Sequence, residues 1–401
     1  MEPLREGAHK IDAYKTPSLE GVWLRVVLKQ YTLKNVRRFG VLISFILVFF
    51  PLYTFGAQKF SYGVWIPYWK RTAAVPEVSK NISKIKTISP FSYEVQKNGK
   101  IWDAMKLKEE GWLQLLELTG SEGKTIVPTI TWMKGDEIHS TLSSSTLRLA
   151  HIKNIVTLVD QNDFDGVDID YENKLAETKV YFTKFITELK KELAKRKKIL
   201  SCTLEARTPL ASRFSIVPKN LEYANDFKEL GKVCDEVRIM AYGQGNIDIL
   251  LNKAKRNNGK YYMPVADKDW VEKVIKEALK SIKKEKIVLG VANFGYEYSL
   301  STSSSSSTAK YEKLRSVTYK DVSNILSLQN KKGERNSAGE FELVYTTSTI
   351  GNSTSSLRFI SFSDAYAIQD KIKLAKKYNL KGVMVFRIDG ESDPKLWEIM
   401  K

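Results

Sequence analysis

From Tyr62 to Asp389, eight short runs rich in β-branched and aromatic residues alternate with longer segments of helical periodicity. The runs are residues 62–69, 85–93, 124–132, 164–172, 199–206, 236–243, 286–295 and 381–389. Between them lie stretches such as LRLAHIKNIVTLVDQ and YFTKFITELKKELAKRKK, with apolar residues three and four apart and charges on the opposite face. Strand followed by helix, eight times over, predicts a parallel sheet closed into a (β/α)8 TIM barrel of the α/β class spanning residues 60–401. The gap before the last run is much longer than the others. It holds a serine tract at 299–308, then strand-like EFELVYTTS and LRFISFSD around the turn signal IGNS. Residues 297–362 therefore read as a small α+β insertion between strands seven and eight, placed to wall a cleft at the C-terminal mouth of the barrel.

The fourth run, FDGVDIDYEN, sets four carboxylates, Asp165, Asp168, Asp170 and Glu172, within an otherwise buried strand. Alternate side chains share a face, so Asp168, Asp170 and Glu172 point one way while Val167, Ile169 and Tyr171 point the other. In a barrel the apolar set meets the outer helices and the acids face the axis. Burying an unpaired carboxylate costs on the order of several kcal/mol unless it is protonated or well hydrogen-bonded. Three stacked carboxyls are expected to share protons, with at least one pKa raised toward neutrality. A carboxylic acid held protonated beside an ionised partner is what general-acid cleavage of a glycosidic bond requires, and Glu172 lies nearest the mouth. Counting back from Glu172 also gives a near-EF-hand spacing, but Gln161 stands at the first ligand position and Asp168 where an apolar residue packs. Spacing alone also allows a ladder that is structural or binds a cation.

The N-terminus departs from the barrel pattern. FGVLISFILVFFPLYTFGA, Phe39–Ala57, carries no charge and is long enough to cross a hydrocarbon core. Arg25–Arg38 before it has five basic residues and no acid, which by the positive-inside rule marks the cytoplasmic side. The expectation is a basic cytoplasmic tail at 1–38, an uncleaved transmembrane anchor at 39–57 and a barrel outside the cytoplasm, facing the cell surface or wall. A cleaved signal peptide normally has a shorter charged region and a small residue where Phe55 stands.

The formal charge of +18 comes mostly from lysines spread along the chain, with no single basic block. Such a surface suits an anionic polymer or an acidic lipid headgroup, and no dedicated nucleic-acid site is expected. Cys202 and Cys234 sit in apolar contexts with no metal-ligand spacing, so buried free thiols are expected, although an external location permits a disulfide. His9, His139 and His151 form no cluster, and neither a metal nor a cofactor is expected.

The segment DGVDIDYE, Asp165 to Glu172, completes the pattern D-x-x-D-x-D-x-E. With ISPFSYEV (88–95), MAYG (240–243), KIVLGVANFGYEY (286–298) and GVMVFRIDGESDP (382–394) in order, the chain resembles glycoside hydrolase family 18, in particular bacterial spore-germination and cortex-lytic N-acetylglucosaminidases. The resemblance implies a retaining mechanism in which Glu172 protonates the glycosidic oxygen and the substrate's own 2-acetamido group attacks the anomeric carbon. Asp170 would hold the acetamide N–H, Asp168 would share a proton behind it, and Tyr242 would donate to the acetamide oxygen. Asp165, Trp65, Tyr93, Trp132, Met240, Tyr296 and Phe386 are the candidate sugar contacts. Glu205 and Arg207, after strand five, either reach the sugar or pair with each other. Two positions depart from the family: Gly243 follows Tyr242 where an acid is usual, and Phe386 stands at the place of the strand-eight tryptophan. The implied substrate is a β-1,4-linked N-acetylglucosamine polymer, peptidoglycan ahead of chitin. A catalytically silent sugar-binding protein on the same barrel is the alternative.

Overall fold

The computed structural model describes residues 59–104, 106, 109–256, 261–301, 309–348 and 355–401. The basic tail and the apolar run at 39–57 lie outside the described residues. Among the described residues, no helix is long and apolar enough to cross a membrane.

The eight runs form eight strands: β1 (Ser61–Pro67), β2 (Thr87–Val95), β3 (Thr129–Trp132), β4 (Gly166–Tyr171), β5 (Ile199–Glu205), β6 (Glu236–Met240), β7 (Ile287–Ala292) and β8 (Gly382–Phe386). Each pairs in parallel with the next, and β8 pairs with β1, so the sheet closes on itself. β3 is short because Pro128 interrupts it; a two-residue strand, Thr125–Ile126, pairs with β2 just before the break. All six residues of β4 are buried. Its Val167, Ile169 and Tyr171 join the apolar core between strands and helices, against Ile152, Ile155 and Val159 of helix Ser145–Gln161 and Phe182, Phe185 and Leu189 of helix Lys179–Lys195. β4 and β5 approach so closely at Gly166 that a Cβ there would strike the Ile199 carbonyl oxygen, which is why the acidic strand opens on glycine.

The insertion begins at Gly295, directly beyond β7, and so stands at the C-terminal mouth. It is a five-stranded antiparallel sheet in the order 310–317, 295–301, 355–362, 341–348, 334–335. Helix Tyr319–Gln329, closed at its start by a reciprocal Thr318–Asp321 capping box, lays Val322, Ile325 and Leu326 on Val317, Leu343, Ile360 and Phe362. Strands 341–348 and 355–362 follow the sequence pattern. Strands 295–301 and 310–317 flank the serine tract and carry no separate signal in the sequence pattern. Fully buried Glu340 ties the sheet to the barrel by accepting from the Val265 and Ala266 amides at 2.8 and 2.7 Å and from Ser361 at 2.7 Å.

The cysteines correct the expectation of free thiols. Cys202, on the outward face of β5, is disulfide-bonded to Cys234, which ends helix Phe227–Val233 as the chain returns to β6. Their Cα atoms lie 6.2 Å apart. The helix's path back to the neighbouring strand brings them together, which apolar context alone did not show.

Candidate active site

The base of the acidic ladder is neutralised by a residue that the sequence reading passed over. Alternation along β6 turns Glu236, Arg238 and Met240 toward the axis, and fully buried Arg238 places Nη1 3.2 Å from Asp168 Oδ2. The same guanidinium donates to Glu236 at 2.8 Å and Ser89 at 2.7 Å. Asp168 also accepts from Thr129 and Thr203 at 2.9 Å each, and Trp65 Nε1 steadies Thr129 at 3.1 Å. Asp168 thus has a counter-charge and two hydroxyl donors.

Asp170 is buried, and its Oδ1 has no hydrogen-bond partner among the described residues. Burial, then the charges of Glu172 and Asp168, push its carboxyl well above the usual carboxylate range, while Lys174 pulls the other way. Glu172, half-buried one pleat higher, is raised by burial and by Glu205 and lowered by Lys174. These two carboxyls form the strained pair expected of the ladder. Lys174, the buried cation between them and Glu205, was not anticipated. Its ammonium donates to the Tyr171 carbonyl, lies 3.9 Å from Glu205 and sits 4.6 Å from the Phe182 ring centroid. Burial lowers its pKa, and the surrounding carboxylates oppose that fall.

Asp170 and Glu172 open into a cavity of about 380 Å³ that Trp65, Phe91, Glu205, Met240, Tyr242 and Phe386 also line. Phe386 is its aromatic floor: parallel to Tyr242 at 5.6 Å, and edge-on to Trp65 at 5.8 Å and Phe91 at 5.7 Å. Burial, then Asp170 and Glu172, hold the Tyr242 phenol well above its ordinary pKa, so it is a donor throughout the neutral range. Gly243, at φ +76°, lines the cavity too, and a Cβ added there would meet nothing. Arg213 and Trp270 are lining residues that the strand pattern could not reveal, because both come from helices.

Four expected sugar contacts lie outside the cavity lining. Asp165 sits at the opposite, N-terminal end of β4, where it accepts the Ile126 amide at 2.7 Å. Tyr93 would share a face with Phe91, but the register shifts between them and turns Tyr93 outward against Phe164. Trp132 pairs in register with outward-facing Tyr171 and packs on His151 and Tyr171. His151 is held there by Gly99 O and Tyr171 Oη, and burial lowers its pKa to about 4. Tyr296 stands one ring back, edge-on to Phe294 at 5.4 Å and under Lys313. Glu205 and Arg207 do not pair. Both bond Asn225, and Arg207 lies between the Tyr223 and Phe227 rings, 3.9 Å from each centroid.

The described residues form a closed parallel barrel with a carboxylate ladder at its mouth, and residues 79–391 match Glycosyl hydrolases family 18, a family of glycosidases. The chain belongs to that family. It is 22% identical over 368 residues to the uncharacterized glycosylase YvbX of Bacillus subtilis, covering 90% of this chain and 97% of the relative. It is 24% identical over 319 residues to the cortical fragment-lytic enzyme of the same organism, covering 78% of this chain and 66% of that protein. In fold it is similar to the spore cortex-lytic enzyme SleL of Bacillus megaterium, with a TM-score of 0.66 at 17% identity, over 86% of this chain and 74% of that one.

Proposed function

We propose that this glycosidase cleaves β-1,4-linked N-acetylglucosamine glycans, peptidoglycan ahead of chitin, with retention of configuration and with the substrate's acetamide as nucleophile. The observation that carries the reading is the buried, unpartnered Oδ1 of Asp170 beside Glu172 in an open cavity. A buried carboxylate oxygen without a donor has a place for one, and an acetamide N–H is a donor of that kind. Glu172, protonated, gives its proton to the leaving glycosidic oxygen while the acetamide carbonyl oxygen bonds to the anomeric carbon, forming an oxazolinium ion. Asp170 accepts the acetamide N–H and balances the developing positive charge, and Tyr242 donates to the acetamide oxygen. Glu172, now ionised, takes a proton from the water that attacks the anomeric carbon, and the acetamide is restored. Phe386 offers a stacking face for the sugar ring.

Relatives named for lysis of spore cortex support a wall glycan over chitin. The uncharged segment Phe39–Ala57 supports an anchor with the barrel outside the cytoplasm, and the Cys202–Cys234 disulfide is at home in that oxidising setting. The second reading, a sugar-binding barrel without catalysis, is favoured by Gly243, which leaves open space where the family's usual acid would stand. Full-length protein in neutral detergent, incubated with peptidoglycan and with N-acetylglucosamine oligomers and read by mass spectrometry, separates the two. Cleavage that Glu172→Gln abolishes supports the enzyme; binding without cleavage by either protein supports the reader.

A further inference from the structure

The pole of the barrel opposite the catalytic mouth carries a second concavity, of about 760 Å³, lined by Lys59, Lys84, Lys86, Lys124, Lys376 and Lys401 and by no aspartate or glutamate. Ser61 opens β1 there, Lys86 immediately precedes β2, Lys124 precedes the short strand at 125–126, and Lys376 lies in the last turn of the helix Ala365–Lys377 before β8. Some lysines elsewhere on the barrel sit against carboxylates, as Lys190 does on Asp235, Lys273 on Asp248 and Lys377 on Glu272, and others stand singly; here six share one concavity. In this concavity Lys84 bonds the Trp397 carbonyl, and Lys376 lies over the Phe60 and Tyr62 rings. None of the six forms an ion pair with another described residue. Clustering unpaired ammonium groups is unfavourable unless an anion faces them.

We infer that this lysine pole docks on the anionic headgroups of the membrane surface. The occupant follows from the chain: Lys59 is two residues past the uncharged run Phe39–Ala57, so the barrel enters its lysine pole within roughly 7 Å of chain from that run. The inference rests on the reading of Phe39–Ala57 as a membrane segment. A neutral bilayer tethers the barrel at one point; an anionic one also holds the lysines around that point, each favoured by about fivefold in binding and sensitive to salt. Docking this way sends the mouth away from the bilayer by about the length of the seven-residue β1, roughly 20 Å, and turns Glu172 toward glycan standing off the membrane.

The test uses full-length protein incorporated into vesicles of phosphatidylcholine alone or with phosphatidylglycerol, and reads lysine acetylation rates residue by residue by mass spectrometry. Lys86, Lys124 and Lys376 are expected to react about fivefold more slowly on the anionic vesicles, with Lys320 of the insertion unchanged and the protection removed by high salt. The triple substitution Lys86→Glu, Lys124→Glu, Lys376→Glu is expected to expose Lys59 and Lys84 to the reagent while leaving glycan cleavage in detergent unchanged. Resistance to alkaline extraction reports on the membrane segment separately. Equal acetylation at the three lysines on both lipids overturns the docking inference, whether or not the chain resists extraction.

Discussion

Replacing Arg238 by methionine removes the charge beneath the acidic ladder while keeping much of the side chain's volume, and its consequences can be worked in advance. A unit charge pair at the 3.2 Å separating Arg238 from Asp168 is worth about 5 kcal/mol at an effective dielectric of about 20, before desolvation is subtracted. Removing one partner of such a buried pair strands the other, and the expected loss of stability at neutral pH is about 3–5 kcal/mol. The pH dependence identifies the cause. Burial alone would raise Glu236, but Arg238 and Lys381 together draw it from 4.5 to about 2. A carboxyl whose folded pKa is depressed contributes stability that is complete above its unfolded pKa of 4.5 and is lost as pH falls toward 2; here that contribution is about 3 kcal/mol at neutral pH. The variant lacks most of it and can protonate its stranded Glu236 instead. The gap between wild type and variant in urea unfolding should therefore be widest near pH 7 and narrow below pH 4.5. A gap under about 1 kcal/mol at pH 7, or one that is constant with pH, would refute the assignment of Arg238 as the counter-charge.

Three further outcomes are expected. The Lys174 ammonium favours the ionised form of Glu172, so Lys174→Met should raise the pKa of Glu172 and shift the alkaline limb of the kcat/KM profile for oligomer cleavage to higher pH. Phe386→Ala should lower kcat/KM by about three- to tenfold, measured on N-acetylglucosamine oligomers, through loss of a stacking face. Reducing Cys202–Cys234, which closes a loop with a sequence separation of 32, should cost about 3–4 kcal/mol in chemical denaturation at constant pH.

The barrel was legible because its strands differ from its helices in period, and because eight repetitions leave few ways to close a sheet. The ladder was legible because acids alternating with Val167, Ile169 and Tyr171 can face only the axis. The same alternation, applied to EVRIM, would have placed Arg238 on that axis beside Glu236. A cation on the neighbouring strand is as much part of a buried acidic ladder as the acids themselves. Lys174 lies beyond the end of β4, where period no longer fixes direction, and its burial depends on Phe182 from the following helix. Tyr93 and Trp132 lie near strand ends, which does not decide the face they take. A one-residue register shift turned the first outward, and pairing with Tyr171 did the same for the second. The disulfide depends on how a helix returns to β6, a tertiary fact with no local signature.

The central claim is that Glu172 and Asp170 work as an acid and a charge-stabilising partner on a substrate that supplies its own nucleophile. Proton magnetic resonance of a fresh digest of N-acetylglucosamine tetrasaccharide, recorded before the new reducing end mutarotates, tests it directly. The account predicts the β-anomer as first product from the wild-type protein and no product from Glu172→Gln. An α-anomer as first product, or undiminished cleavage by Glu172→Gln, would contradict it.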